Sequence, residues 1–172
     1  MFNLKFSPSE ISAWAERYPA DTDHQLENAI APAVYARRYF TRPEFLATCA
    51  WKTPRSKPRV ASNPEGFIHA VTQTALSTPD ERLRIEVLTL LKGVSWPTAS
   101  VLLHFGHPDP YPILDFRALW SLGMVVLPAY EFDFWWEYTQ FCRTLSKEAG
   151  VSMRTLDRAL WQYSRENQRQ EP

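Results

Sequence analysis

Residues 78–123 read TPDERLRIEVLTLLKGVSWPTASVLLHFGHPDPYPILDFRALWSLG, and this stretch decides the fold. Thr78, Pro79 and Glu81 have the order of a capping box with proline in the first turn, so we expect a helix to begin here. Gly93 is expected to end it. The spacing i, i+4, i+7 and i+8 predicts one buried face, made of Leu83, Val87, Leu90 and Leu91.

A second helix is predicted directly after the first. Pro97 suits the first turn of a helix, and Gly106 is expected to close that helix. Its predicted buried face consists of Thr98, Val101, Leu102 and Phe105. The segment 93–96 therefore joins two helices in a helix–hairpin–helix. A proline-rich connection follows, and Asp115 stands where a third helix, 116–122, should begin.

The residues LKGVSWPTASVLL at 91–103, followed by PILDFR at 112–117, resemble the helix–hairpin–helix signature of the base-excision DNA glycosylase (HhH-GPD) superfamily. The resemblance implies an all-α fold with two helical lobes and a cleft between them. One lobe would come from the middle of the chain and the other from both ends. Strand-like alternation is scarce, which independently favours an all-α protein.

Three departures from the family pattern shape the expected chemistry. Ser95 stands where the second hairpin glycine is expected, and Pro97 stands where bifunctional members carry a nucleophilic lysine. The cysteine cluster that binds iron and sulfur in some relatives is missing. The resemblance thus implies a small, monofunctional member that needs no cofactor. It also implies a monovalent cation held by the carbonyls of Gly93, Val94 and Ser95.

Asp115 is the candidate catalytic residue. In the family, an aspartate at this place stabilises the positive charge that develops on the sugar and orients the attacking water. Aspartate is also among the best helix N-caps, so a purely structural role explains the same position. The two roles are compatible, and the sequence leaves both open.

A second set of residues is expected to bind DNA. By resemblance, the backbone around Gly93, Val94, Ser95 and Thr98 contacts a phosphate, as helix N-termini attract anions. A basic stripe lies upstream in the chain and consists of Arg37, Arg38, Arg42, Lys52, Arg55, Lys57 and Arg59. From it, the predicted DNA contacts are Lys52, Arg55, Lys57 and Arg59. A solvated face balanced by acids elsewhere explains the stripe equally well, since the net charge is zero.

The predicted base pocket contains Trp51, Trp96 and Tyr111, the aromatic residues nearest the motif or the basic stripe. A flipped nucleotide needs such rings to stack on, although aromatic residues more often belong to the core. The aromatic run 132–141 has helical core spacing and is interpreted as packing. His104 and His107 are interpreted as structural or exposed residues, because Gly106 and Pro108 break the helix that would align them as metal ligands.

The remaining chain predicts helices with intervening loops. The expected helices span 7–18, 24–39 with a bend or restart at Pro32, 42–52, 64–77, 131–149 and 152–164. Residues 53–62 are expected to form a loop, 124–127 a short apolar link, and the tail from Arg165 to fray.

Composition limits the class of protein. A length of 172 residues with seven Trp, seven Tyr and ten Phe fits a folded chain, which we treat as a single all-α unit. Cys49 and Cys142 are expected to be buried thiols in a reducing compartment. No signal peptide or membrane-length apolar run is found, so a cytoplasmic, monomeric protein without membrane contact is expected.

Three hypotheses for the function follow. The first is a monofunctional DNA glycosylase that hydrolyses the N-glycosidic bond of a modified or damaged base. The second is a non-catalytic helix–hairpin–helix DNA-binding module of a repair or defence system, which the departures at Ser95 and Pro97 favour. The third is an all-α protein whose hairpin contacts other proteins, for which DNA binding would be absent at any salt concentration.

Overall fold

The computed structural model describes residues 2–125 and 128–168, and in these ranges every regular element is helical. The all-α prediction is confirmed. The chain divides into two compact units, one formed by residues 20–111 and the other by residues 1–19 and 112–172. The first unit thus comes from the middle of the chain and the second from both of its ends. None of the helices in the described ranges is both long and apolar enough to cross a membrane.

The middle unit holds six α-helices. They are α2 (Ala31–Arg37), α3 (Arg42–Lys52), α4 (Lys57–Ala61), α5 (Glu65–Ser77), α6 (Glu81–Leu88) and α7 (Trp96–Gly106). Short 3-10 turns span Ala20–Asp23 and Pro54–Ser56, and a π-helical turn spans Leu26–Ile30. Helix α7 is buried along nearly its whole length and packs against α2, α3 and α6, so it is the centre of this unit.

In its described residues, the second unit holds four α-helices. They are α1 (Ile11–Glu16), which follows a 3-10 turn at Pro8–Glu10, α8 (Phe116–Ser121), α9 (Phe132–Glu148) and α10 (Met153–Asn167). Helix α10 packs against α1, α8 and α9. The N-terminal segment is tied to this unit by backbone bonds from the N–H groups of Asn3 and Lys5 to the carbonyls of Leu122 and Ser121, both 2.9 Å long.

Several predicted helix boundaries are confirmed by cap geometry. Ser7 and Glu10 form a capping box, as do Thr41 and Glu44, and the hydroxyl of Ser152 accepts a hydrogen bond from the Thr155 N–H. The predicted irregularity near Pro32 is confirmed by the π-helical turn that precedes it. Cys49 and Cys142 are free and buried, as expected.

The prediction of the α6 face was wrong at three of its four residues, whereas the fourth, Leu91, lies just beyond the helix and is buried as predicted. Leu83 and Leu90 are exposed and Val87 is only half-buried. The buried face instead carries Arg84, Ile85 and Leu88. The cap lies two residues later than expected, because the Asp80 carboxylate accepts the Leu83 N–H at 2.7 Å. The spacing of the leucines predicted a core face. The observed core face includes the buried Arg84, which a search for apolar spacing counts as a polar, exposed residue.

Other predictions need smaller corrections. Residues 53–62, expected to be a loop, form a 3-10 turn and α4. Phe67, an apolar residue in the first turn of α5, is exposed. Gly106 is the last residue of α7, and a Cβ there would lie 2.6 Å from the Phe40 ring, so its role is close packing. Helix α10 continues through Asn167, beyond the predicted start of fraying. Residues 126–127 of the expected apolar link and 169–172 of the tail lie outside the described residues.

Candidate functional site

The turn between α6 and α7 is built around Gly93. Its φ of 82° lies in the left-handed region, which glycine adopts without steric cost. A Cβ on Gly93 would lie 2.8 Å from Cγ2 of Val60 and 3.1 Å from the Val60 backbone nitrogen. Both the turn geometry and the close approach of α4 therefore require glycine. The hairpin turn is packed directly against the backbone of α4.

Asn63 fixes this contact by hydrogen bonds. Its carboxamide oxygen accepts the N–H of Lys92 at 2.8 Å, and its amide nitrogen donates to the Lys92 carbonyl at 2.9 Å. The same nitrogen donates to the carbonyl of Val60 at 2.8 Å. Asn63 is 3% exposed, so its carboxamide is shielded from water, whereas the two bonds to the exposed Lys92 are only partly buried. One buried side chain thus holds the end of α4 and the hairpin turn together.

Basic side chains lie on the segment that Asn63 fixes. Arg55, Lys57 and Arg59 are exposed on the helical segment 54–61, and Lys52 is half-buried at the end of α3. The Cβ of Arg59 is 3.2 Å from the point that a Cβ on Gly93 would occupy. The predicted hairpin and the C-terminal half of the basic stripe are therefore neighbours in the middle unit.

The N-terminal half of the basic stripe is used inside the protein. Arg37 forms an ion pair with Glu44, and Arg42 donates to the Ala61 carbonyl at 2.7 Å. These two residues stabilise the packing of α2, α3 and α4. They are less suited to contact a ligand than Arg55, Lys57 and Arg59.

The residues at the start of α7 bear on several predictions about the hairpin. Ser95 has an extended backbone with φ −100° and ψ 174°, so the serine in place of glycine causes no strain. Its side chain makes no capping hydrogen bond. Val94 and Thr98 are buried, and the Thr98 hydroxyl lies 3.5 Å from that of Thr53. The predicted DNA contacts at Val94 and Thr98 concern backbone groups, so the burial of these side chains does not test them, and they stay predictions.

The three predicted pocket aromatics have different surroundings. The Trp51 indole N–H donates to the Asp23 carboxylate at 2.9 Å, and its ring meets Phe105 edge-on. Trp96 is half-buried at the start of α7. Tyr111 is fully buried, and its hydroxyl donates to the Glu81 carboxylate at 2.6 Å. This arrangement makes Tyr111 a core residue and does not support the expected pocket role.

Asp115 caps α8 in the second unit. One carboxylate oxygen accepts the Arg117 N–H at 2.8 Å, and the backbone is extended at φ −142° and ψ 140°. The structural role considered for this residue is therefore correct. The side chain remains half-exposed rather than sealed in the core. A partly exposed carboxylate is compatible with a second role in chemistry.

Two aromatic residues near Asp115 were missed by the sequence reasoning. Phe116, the next residue, is an exposed large apolar side chain. Burial and the negative charge of Asp115 raise the pKa of Tyr130, which places its phenol within the field of the carboxylate. The Tyr130 ring stacks on Phe134 with an interplanar angle of 18°. Phe116 was readable from adjacency to Asp115, whereas Tyr130 is fifteen residues away and had no sequence signal.

His104 and His107 both make contacts within the middle unit. The ring of His104 is hydrogen-bonded to the Tyr111 carbonyl at 2.7 Å, and the ring of His107 is buried. In the part of the chain that the structure describes, no three His, Cys, Asp or Glu side chains are grouped as metal ligands would be. Comparisons of the chain with protein families, characterised proteins and solved structures find no match.

Proposed function

We propose that this protein binds DNA through its hairpin and hydrolyses the N-glycosidic bond of a modified or damaged base. The supporting observation is the hairpin turn at Gly93, which Asn63 holds against the exposed basic segment 54–61. In this proposal the hairpin turn and the basic side chains of segment 54–61 bind neighbouring phosphates of one DNA strand. In this proposal the protein is similar in function to the helix–hairpin–helix DNA glycosylases.

The hairpin contributes backbone groups to this proposal. The N-terminus of α7 carries a partial positive charge, which favours a phosphate near the turn. The uncapped side chain of Ser95 leaves this end of the helix to an external acceptor. A monovalent cation held by the carbonyls of Gly93, Val94 and Ser95 is part of the same proposal. Lys52, Arg55, Lys57 and Arg59 supply further charge.

Asp115 is the proposed catalytic residue. Breaking the glycosidic bond moves positive charge onto the sugar, and a nearby carboxylate stabilises that charge. Water adds its oxygen to the anomeric carbon, while the base leaves with the bonding electron pair and a proton. Asp115 would orient and deprotonate that water. Phe116, the exposed residue that follows Asp115 in the chain, offers an apolar surface on which an extruded base would stack.

Pro97 determines which reaction product we expect. A lysine at this position would attack the sugar and permit strand cleavage by elimination, but proline has no amine. We therefore expect an abasic site in an intact strand as the product. Strand breaks should appear only after alkali treatment.

The test is base release from duplexes that carry a panel of modified bases, read as alkali-sensitive sites. Asp115→Asn should lower the release rate at least about 100-fold, because the charge that stabilises the transition state is lost. Asparagine caps helices as well as aspartate does, so folding and DNA affinity should be retained. Asp80→Asn, at the equivalent cap of α6, is the matched control. Equal release by Asp115→Asn and the wild type would remove Asp115 from the mechanism.

The alternative is a non-catalytic helix–hairpin–helix module that binds DNA. It is favoured by the capping bond of Asp115, which accounts for that residue without chemistry. Under this alternative, DNA binding would depend steeply on salt while no modified base is released. The triple variant Arg55→Gln, Lys57→Gln, Arg59→Gln should lower the salt slope by about two to three under either reading. Arg82→Gln, an exposed arginine on α6, should leave the slope unchanged.

A further inference from the structure

A polar cavity of about 440 Å³ lies in the middle unit, away from the hairpin turn. The polar residues that line it are Arg38, Ser77, Thr78, Arg84, His107 and Asp109. His107 directly follows the C-terminal end of α7, whereas the hairpin precedes the N-terminal end of the same helix. At about 1.5 Å per residue, the two ends of this helix are roughly 15 Å apart. The cavity is therefore separate from the proposed DNA contact.

Arg84 forms a rigid wall of this cavity. It is 5% exposed, and its guanidinium donates to the carbonyls of Ala75 and Thr78 and to the Glu81 carboxylate at 2.5 to 3.1 Å. A guanidinium has five N–H donors, and these bonds use three of them. Two donors remain, held in fixed directions by the other three. A buried guanidinium prepared in this way is well suited to a planar or tetrahedral oxyanion.

His107 and Arg38 add donors to the same cavity. Nδ1 of His107 accepts the N–H of Asp109 at 3.0 Å, so the neutral ring carries its proton on Nε2. Burial and the positive charges of Arg84 and Arg38 hold the pKa of His107 down, to about 4, against the opposing charges of Asp109 and Glu81. Both guanidinium groups therefore act on this one ring. Arg38 also has a left-handed backbone with φ 64°, which is uncommon for a residue with a side chain.

The negative groups near the cavity leave a net positive lining. Glu81 accepts hydrogen bonds from both Arg84 and the Tyr111 hydroxyl, so its carboxylate is already satisfied by the protein. Asp109 is the single acid that lines the cavity in the described residues, and its side chain is 64% exposed. Two guanidinium groups thus face one solvated carboxylate. The hydroxyl of Thr78 accepts the Asp80 N–H, which leaves its own proton to donate.

We propose that this cavity binds the phosphate group of a phosphomonoester, a ligand that the glycosylase reading does not include. The dianion offers three terminal oxygens to the remaining donors of Arg84, to Arg38, to Nε2 of His107 and to the hydroxyls. The volume exceeds that of phosphate alone and accommodates part of an attached group. Two sources share this chemistry, a small phosphorylated metabolite and the 5′-phosphate of a nucleic acid strand.

Calorimetric titration of the full chain tests the proposal. The probes are inorganic phosphate, a nucleoside 5′-monophosphate, the matching nucleoside, and an oligonucleotide with either a 5′-phosphate or a 5′-hydroxyl. Binding of the monophosphate but not of the nucleoside is expected. Tighter binding of the 5′-phosphorylated strand than of both its 5′-hydroxyl form and the monophosphate would identify a strand end as the source. Equal or weaker binding of that strand than of the monophosphate would identify a small molecule.

Variants connect the binding to the named side chains. Arg38→Asn should weaken phosphate binding at least about fivefold, since one charge-assisted contact is removed. Asparagine tolerates the left-handed backbone, so the fold should be retained, which the melting temperature checks. Asp109→Asn should tighten binding about twofold or more, because a repelling charge is removed. Arg82→Gln, on the exposed face of α6, is the control and should change the affinity less than about twofold.

The proposal is overturned if no probe binds at about 10 mM. It is also overturned if Arg38→Asn, with an unchanged melting temperature, binds phosphate as tightly as the wild type does. Neither result depends on base release. Failure of this proposal and failure of the proposed glycosylase activity are therefore distinguishable.

Discussion

The carboxamide of Asn63 forms hydrogen bonds with both backbone polar groups of Lys92: it accepts from the N–H at 2.8 Å and donates to the carbonyl at 2.9 Å. The two residues are 29 positions apart in the chain. This paired contact imitates the pairing of two backbone strands and needs no regular secondary structure. It explains how the end of α4 and the hairpin turn are held in a fixed arrangement.

Asn63→Ala should destabilise the protein by about 2–4 kcal/mol, because it removes the three hydrogen bonds that this buried side chain makes to Val60 and Lys92. Chemical denaturation measures the change in the free energy of unfolding. Asn28→Ala is the control, since Asn28 is exposed and makes one hydrogen bond to the His24 carbonyl. Its effect should stay within about 0.5 kcal/mol. Similar effects of the two substitutions would mean that the Lys92 contact contributes little.

Gly93→Ala should cost about 2–4 kcal/mol, because alanine is strained at φ 82° and its Cβ would collide with Val60. Gly150→Ala separates the two causes. Gly150 has φ 66°, and a Cβ there has nothing within 4 Å, so only the backbone cost of about 1 kcal/mol applies. Thermal or urea unfolding of both variants measures the difference. Equal losses would contradict the close approach of α4 to the hairpin.

Asp115→Ala should lower the free energy of unfolding by about 1 kcal/mol, because the cap of α8 is lost. Asp115→Asn should change it by less than about 0.5 kcal/mol, since asparagine accepts the same N–H. Asp80→Ala, which removes the cap of α6, should resemble Asp115→Ala. This series measures the structural role of Asp115 independently of any activity. A large loss for Asp115→Asn would show that its negative charge is needed for folding.

The buried ring of His107 should make stability depend on pH. Its pKa falls from 6.5 to about 4 on folding, so the folded protein binds the proton less readily than the unfolded chain. This contribution to stability is full above about pH 6.5 and is lost as the pH falls toward 4, with a slope of at most about 1.4 kcal/mol per unit. His107→Gln should flatten this part of the curve. His24→Gln, at an exposed position, should leave it in place.

Much of the helical layout was readable from local rules. The capping boxes at Ser7 and Thr41 and the cap at Ser152 are short-range patterns whose hydrogen bonds form within one turn. The face of α6 was not readable, because Leu83 and Leu90 have core spacing but are exposed. The buried face carries Arg84 instead, which donates to the backbone carbonyls of Ala75 and Thr78. The sequence does not reveal such backbone partners. Periodicity reports hydrophobicity and cannot report that kind of compensation.

The candidate site was readable only in part. Gly93 and Asp115 were found from local patterns, and each has the backbone role that glycine and aspartate favour. The bond between Asn63 and Lys92 and the proximity of Tyr130 to Asp115 were not found. Both join residues that are distant in the chain, and a single sequence holds no signal for such pairs. The hydrogen bond from the Tyr111 hydroxyl to Glu81 was not found either, because it joins residues thirty positions apart.

The packing of α1 against α10 has a consequence for the order in which parts of the protein fold during synthesis. Residues 20–111 form a unit from one continuous segment, so their core closes as soon as that segment has left the ribosome. Helix α1 emerges earlier, yet the helix that covers Ile11 is translated more than a hundred residues later. Until then this short amphipathic segment has no native surface to pack on. A nascent chain halted before Met153 should therefore protect the middle unit from proteases while leaving α1 open to cleavage.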